Sequence, residues 1–473
     1  MESSRRIYLK DHFRRFFEPQ SVAVIGASST PHKPGNDVIK NILANGYNGE
    51  IHLVNPKGGE IFGRTVCRSI QDLPQGIDLA IIILPAKANP DAVRDCASQG
   101  IKAVVLAAGG FSEVDAEGHA LQEELIRAIK ETRVRAIGPN TSGHTSMPHN
   151  FTSSFFPLGK IPKGPISYLA QTGNFATHTM RHIATEENFG VARVVGLGNK
   201  LDLDESDILE YYAADEETKA IFVYLESFKN PQRFLKIAEE VTRFKPIVLL
   251  KGGGTQEGAK AAIAHTASMA SDDKVVDAAL RQAGVVRVYE FSHLFLVAKV
   301  LAVMPVPRGN RVSFLAPSGA HLVCLTDLCR RDLNLEVPRV EEKTRQRLQE
   351  ISPSFIRMRN PVDIWPAASV SGVMRGYREG IEAVLRDPNI DAVVPILLLT
   401  DETGVPPLDF LVELSEKYSE KLILVTFSGE KKHREAAKAF LEPKGVPTFP
   451  LIEEPFKVLS ILSACRRAME RPE

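Results

Sequence analysis

A glycine run followed by a histidine is where this chain's residue types and spacing could do chemistry. An apolar strand is predicted over Ile247 to Leu250 and runs into Gly252-Gly253-Gly254. An alanine-rich helix then leads to His265, and a second helix is predicted from near Asp272. Three glycines after a buried strand leave backbone N–H groups free to meet an anion. The small neighbours of the histidine, Ala264 and Ala267 among them, give the imidazole room to move and react. The plainer alternative is a tight strand–helix turn with a buried, hydrogen-bonded histidine.

The elements that must position this segment belong to a long, ordinary globular chain. At 473 residues, about three domains are expected. Hydrophobic residues make up 44%, and 58 basic residues balance 58 acidic ones, which argues against a nucleic-acid or anionic-membrane surface. Cys67, Cys96, Cys324, Cys329 and Cys465 are scattered without CxxC or Cys/His spacing. A reduced, cytoplasmic setting with no structural metal is therefore expected. No run is long and apolar enough to span a membrane, and no secretory segment is apparent. Acidic residues interrupt the N-terminal arginines, so a solvated lead-in helix is predicted there rather than a transit peptide.

From Gln20 to about Met147 strands and helices alternate, as in an α/β fold. The runs Ser21–Ile25, Glu50–Val54, Asp78–Leu84, Ala103–Ala107 and Arg135–Ile137 each end in a glycine, proline or asparagine turn. In a doubly wound sheet those turns share the edge where ligands bind. The first turn, Gly26-Ala27-Ser28-Ser29, is not G-x-G-x-x-G, and Asn55-Pro56-Lys57 stands where an NAD site needs an acid. A lysine there favours a phosphate, which suits coenzyme A with its 3′-phosphate; a surface lysine on an ordinary Rossmann-like domain is the alternative. Phe151 to Lys163 reads as an interdomain linker. A second α/β unit follows, with strands over Pro165–Leu169, Asn188–Asn199 and Ala220–Leu225. Asp202, Asp204, Glu205 and Asp207 read as a charged helix start rather than a metal site. A third unit begins near Asn310, with strands over Arg311–Ala316, Asp391–Leu398 and Lys421–Thr426; its His321 reads as structural.

Several ordered motifs make the chain resemble the NDP-forming acyl-CoA synthetases, relatives of succinyl-CoA synthetase. Ser21 to Ser28 resembles the opening of that family's CoA-binding domain, Asn55 to Gly59 its second turn, and Gly138-Pro139-Asn140-Thr141-x-Gly143 the junction to its histidine-phosphate domain. The segment around His265 resembles the phosphohistidine loop, keeping Thr266, Ser268 and Ala270 but carrying Ala267 and Ser271 where glycines are usual. Gln171-Thr172-Gly173-Asn174 is similar to a turn whose helix faces the phosphohistidine. Pro317-Ser318-Gly319 is a weaker match to a second such turn, with Ser318 as N-cap. Asn360-Pro361-Val362-Asp363 matches a further family motif.

The resemblance implies an α/β chain with a Rossmann-like CoA-binding domain (1–147) followed by two flavodoxin-like domains (148–309 and 310–473). It implies CoA contacts from Gly26, Ala27, Ser28, Ser29, Asn55, Lys57, Pro85, Lys87 and Asn140. Phosphate would be held by Gln171, Thr172, Gly173, Asn174, Ser318 and Gly319. Glu226 would orient His265, since a carboxylate on one ring nitrogen makes the other nucleophilic. The implied reaction takes acyl-CoA, phosphate and ADP reversibly to acid, CoA and ATP. No segment suits an ATP-grasp domain, so ADP or ATP and Mg are expected on a separate beta subunit, in an oligomer. The acyl pocket is expected near Asn140–Gly143 and Gln171–Asn174, with Phe151, Phe155, Phe156 and Phe175 as candidate lining. Two other classes stand beside this one: a CoA- or acyl-CoA-binding sensor without turnover, and a phosphate-independent acyl-CoA transferase or ligase.

Overall fold

Short aliphatic, β-branched runs buried on both faces form parallel strands, because only a sheet covered by helices on each side gives them a dry environment. The structure, a computed structural model, describes residues 11–173, 177–266, 272–402 and 405–471. It divides into two units, Met1–Leu294 and Phe295–Glu473.

The first unit holds two sheets. Strands β1 (Ser21–Ile25), β2 (Glu50–Val54), β3 (Glu60–Ile61), β4 (Arg64–Cys67), β5 (Leu79–Ile82), β6 (Ala103–Leu106) and β7 (Arg135–Ile137) lie in the order β3-β4-β2-β1-β5-β6-β7. Apart from the antiparallel edge strand β3, this is the 3-2-1-4-5-6 order of a Rossmann fold. The β3–β4 hairpin escapes sequence reasoning because Glu60, Arg64 and Thr65 break any apolar run. Gly26 ends β1 at φ +95°, where a Cβ would lie 2.2 Å from the Ile83 carbonyl oxygen, so only glycine permits this close crossing.

The second sheet contains β8 (His144–Ser146), β9 (Phe151–Thr152), β10 (Lys163–Ala170), β11 (Val191–Gly196), β12 (Ala220–Leu225), β13 (Ile247–Lys251) and β14 (Val286–Val288). Its order is β14-β13-β12-β10-β11-β8-β9. The five parallel strands β10 to β14 follow the flavodoxin order 2-1-3-4-5, with β8 and β9 added antiparallel beyond β11.

Three expectations need correction. The stretch read as a linker begins as strand β9 and then lies along the helix Pro34–Ala44. Asn41 Nδ2 donates to Ser154 O and Phe156 O, and its Oδ1 accepts from Leu158 N–H. Asn45 bonds the backbone of Gly159 and Ile161 in the same way. The loop is irregular, yet its buried backbone groups are satisfied by two asparagine side chains. The lead-in helix, over 11–17, is docked rather than solvated: Phe13, Phe16 and Phe17 are buried, and Phe17 stacks on Tyr211 at 4.3 Å. Their i, i+3, i+4 spacing makes one apolar face. Finally, His265 does not follow its helix but sits in its last turn, because the alanine-rich run carries helix Gln256–Thr266 through it.

The second unit is built on β15 (Val312–Ala316), β16 (Val362–Asp363), β17 (Ala392–Leu399), β18 (Leu422–Ile423), β19 (Val425–Gly429) and β20 (Thr448–Phe449). The order β16-β15-β17-β19-β20, with β18 beside β17, is again flavodoxin-like and parallel. The fold is therefore a Rossmann-like domain followed by two flavodoxin-like sheets, as expected. Among the described residues no helix is long and apolar enough to cross a membrane.

Candidate active site

In each doubly wound sheet the crevice opens where strand order reverses, beyond the carboxyl ends of the strands on either side. In the second sheet that point lies between β10 and β12, since the chain leaves β10 for β11 on one side and then crosses to β12 on the other. The turn Gln171–Gly173 follows β10, Glu226 follows β12, and Gly198–Lys200 follow β11. A cavity of about 210 Å³ lies there, lined by Ala107, Asn140, Thr141, Ser142, Phe155, Gln171–Gly173, Thr177, Gly198 and Asn199. Turns of the Rossmann sheet (Ala107, Asn140) thus meet the switch point of the second sheet. The cavity adjoins Asn140–Ser142 and Gln171–Gly173, where the acyl pocket is expected. Of the phenylalanines, Phe155 lines it, Phe151 is fully buried in the core, and Phe156 packs on the His178 ring at 4.2 Å.

The walls are cross-linked. Ser142 Oγ donates to Gly173 O at 2.9 Å, Asn140 Nδ2 to Asn199 Oδ1 at 3.4 Å, and Asn199 Nδ2 to Glu113 Oε2 at 2.7 Å. Glu113 also accepts from the N–H groups of Gly110 and Phe111. Burial acts to raise its carboxyl, but those donors hold it below the ordinary carboxylate value. Gly198 sits at φ +58°, where a Cβ would come within 2.1 Å of Pro139 O, so the two turns touch backbone to backbone.

Glu226 is 9% exposed. Its backbone N–H and that of Ser227 both donate to Gln171 Oε1 at 3.0 Å. Lys251 Nζ donates to Glu226 O at 2.7 Å and to Gly252 O, which joins the glutamate to the glycine run. Tyr224 donates to the Glu226 carboxylate at 3.2 Å; burial and that negative neighbour push its phenol up to about 12. Burial lowers the ammonium groups of Lys200 and Lys251. A carboxylate held at its backbone by Gln171 and Lys251 and at its tip by Tyr224 can hold an imidazole in one orientation.

The backbone of His265 closes helix Gln256–Thr266, while Asn174, Phe175, Ala267 and Ser271 lie outside the described residues. Gln171 spends its carbonyl oxygen on the Glu226–Ser227 backbone, and it lines the cavity together with Thr172 and Gly173. In the Rossmann sheet, Gly26 to Ser29 and Pro85 to Lys87 bracket the β1–β5 switch point. Asn55 Nδ2 bonds Ala27 O at 2.8 Å and so joins the first two turns. Lys57 is exposed, and Lys87 pairs with Glu117 at 2.7 Å. In the second unit Ser318 caps helix Gly319–Arg331 by position but makes no side-chain cap bond.

Sequence reasoning passed over Lys200, Glu205, Glu113 and Asn199. Asp204 does cap helix Glu205–Ala214, through a reciprocal bond with Asp207, so the charged helix start is real. Its neighbour Glu205 looked like one more acid of that first turn, yet is fully buried against Lys200. Asp401, Glu430 and His433 have ligand atoms within 4.8 Å of one another, but Lys432 also pairs with Asp401.

Residues 20–145 match the family described as CoA binding domain, and residues 163–301 the family described as succinyl-CoA ligase like flavodoxin domain. The chain is 34% identical, over 94% of its length and 96% of the relative, to acetate–CoA ligase [ADP-forming] I subunit alpha of Pyrococcus furiosus. It is 38% identical to acetate–CoA ligase [ADP-forming] II of Archaeoglobus fulgidus, covering 83% of this chain but only 58% of that longer protein. Dinucleotide-forming acetyl-coenzyme A synthetase 1 of Ca. Korarchaeum cryptofilum, solved with phosphate and ADP, superposes with a TM-score of 0.89 at 28% identity, over 97% of both chains. A CoA-type Rossmann sheet, a succinyl-CoA-ligase-type flavodoxin sheet and a full-length alpha-subunit match together place the chain in the ADP-forming acetate–CoA ligase family, as a chain of its alpha-subunit type.

Proposed function

We propose that this chain converts acyl-CoA, phosphate and ADP reversibly to carboxylic acid, CoA and ATP, through phospho-His265. The observation that carries this is the cavity where the Rossmann turns meet Gln171–Gly173, beside a Glu226 tied to the Gly252 run. Phosphate oxygen attacks the thioester carbonyl; the C–S bond breaks, CoA thiolate leaves, and an acyl phosphate forms. A ring nitrogen of His265 then attacks phosphorus and the carboxylate departs. Glu226 holds the other ring nitrogen, stabilising the imidazolium that develops. Phospho-His265 hands its phosphoryl group to ADP.

In this reading CoA lies over Gly26–Ser29, Asn55, Lys57, Pro85, Lys87 and Asn140. Lys57 is free to meet a phosphate, and Lys87 exchanges its exposed Glu117 partner for one. Gln171, Thr172 and Gly173 serve the phosphoryl group. The nucleotide and Mg²⁺ are held by a separate beta chain of ATP-grasp type, in an oligomeric, cytoplasmic enzyme whose alpha chain has domains at 1–147, 148–309 and 310–473. Release of free CoA thiol from a panel of acyl-CoAs tests this. Release that requires phosphate supports it; equal release without phosphate favours the transferase class, and tight CoA binding with no release under any condition favours a sensor.

A further inference from the structure

Lys200 is a buried cation in a place where burial is costly. It stands in the turn after β11 at φ +56°, with its ammonium 2.8 Å from Ser227 O, 3.4 Å from Gln171 Oε1 and 3.0 Å from Glu205 Oε2. The last contact is ionic rather than an aligned hydrogen bond. Glu205 is fully buried, and its Oε1 accepts the Lys229 N–H at 2.6 Å. Lys229 in turn reaches back to the carbonyls of Lys200 and Leu201.

The turn from Glu226 to Lys229 is therefore held from three other loops. Gln171 binds the N–H groups of Glu226 and Ser227, Lys200 binds the Ser227 carbonyl, and Glu205 binds the Lys229 N–H. Lys251 adds a hold on the Glu226 carbonyl. A buried lysine–glutamate pair is no more stabilising than apolar residues of the same volume, so stability does not explain its presence. Placement does, because a displacement of about 1 Å at a reacting group costs on the order of a hundredfold in rate.

We propose that Lys200 and Glu205 are positioning residues that fix the Gln171 amide and the Glu226 turn, so that the Glu226 carboxylate is held ready for the histidine. The inference rests on the reading of Glu226 as the group that orients His265. Neither residue touches the reacting atoms.

The test is single-turnover phosphorylation of the full chain by acyl-CoA and phosphate, with K200M/E205Q compared to the unsubstituted chain. The double substitution removes both charges at nearly constant volume. Phosphorylation should slow roughly a hundredfold, while the half-saturating acyl-CoA concentration stays within about twofold. A folded double variant labelled at the unsubstituted rate overturns the positioning role and leaves the parent reading intact. No phosphoryl group on the unsubstituted chain overturns the parent reading, and this inference with it.

Should the double variant fail to fold, Glu205→Gln alone supplies the answer through its pH profile. The Lys200 ammonium faces Glu205, Asp204 and Lys229 as charged groups; burial lowers it, Glu205 chiefly opposes that, and Lys229 adds to the lowering. The ammonium donates to Ser227 O and Gln171 Oε1 and carries the charge that faces Glu205; a neutral amine has one donor fewer and no charge. Without the Glu205 charge, the alkaline fall in rate should therefore begin at lower pH. An alkaline limb that does not move overturns the proposal.

Discussion

The two flavodoxin-type sheets share a strand order and differ in what their switch points are tied to. In the sheet around β10, the turn Gln171–Gly173 lies among buried Lys200, Glu205 and Glu226, with backbone groups of four loops joined by side chains. In the sheet around β15, the matching turn Pro317–Gly319 is plain: Ser318 makes no cap bond, and a Cβ on Gly319 would meet nothing within 4 Å. Topology brings loops to the same edge in both cases. Buried polar wiring is what sets the first of those edges apart from the second.

Among the described residues each unit also buries a lysine–glutamate pair, and the two make a controlled comparison. Lys299 meets Glu442 at 3.3 Å and donates to Thr448 O at 2.6 Å, at the far end of β20 from its sheet's switch point. Lys200→Met and Lys299→Met should each cost about 3–5 kcal/mol in urea unfolding, because each strands a buried carboxylate. Neutral pairs, K200M/E205Q and K299M/E442Q, should recover most of that loss. Phosphoryl transfer should stay slow only in the first. Equal transfer deficits in the two double variants would break the comparison.

A smaller effect separates His144 from the site. This residue of β8 is fully buried, its Nε2 against Phe16 O at 2.7 Å and its Nδ1 against Ser153 Oγ at 2.8 Å. Burial pushes its imidazole down to about 4. The unfolded chain takes up the proton near pH 6.5, so the stability linked to neutral His144 is whole above that pH and is lost as pH falls toward 4. By pH 5 the loss should reach about 2 kcal/mol, absent from His144→Gln, with denaturant curves at pH 8 and pH 5 as the check. A native state equally pH-sensitive in both chains would assign the effect elsewhere.

The smallest expected effect returns to the two helix starts. Asp204 accepts from Ser206 and Asp207 N–H groups, so Asp204→Ala should cost about 1 kcal/mol. Ser318→Ala, which removes no cap bond, should cost less than about 0.5 kcal/mol. Thermal unfolding of the two variants decides it, and a larger loss at Ser318 would show that its turn is wired after all.

Much of this was legible in the chain itself, for physical reasons. Ser21–Ile25, Arg135–Ile137 and Ala220–Leu225 are short buried runs with sharp turn residues, and their limits are those of the strands. Gln171, Glu226 and Asn140 were reachable because each closes such a run. The β3–β4 hairpin was not, being polar and two to four residues per strand. Phe151 to Lys163 looked like a linker because loop composition does not reveal that Asn41 and Asn45, more than a hundred positions away, satisfy its backbone. Lys200 and Glu205 carried no signal, since a charged pair next to a helix start ordinarily lies in water.

In the proposed function a phosphoryl group passes over His265. Incubating the full chain with acyl-CoA and phosphate, then mapping acid-labile phosphate by mass spectrometry, tests it most directly. Phosphate is expected on the peptide carrying His265, lost in His265→Ala and strongly reduced in Glu226→Ala. An unlabelled chain that still binds CoA, or a label that survives His265→Ala, would contradict it.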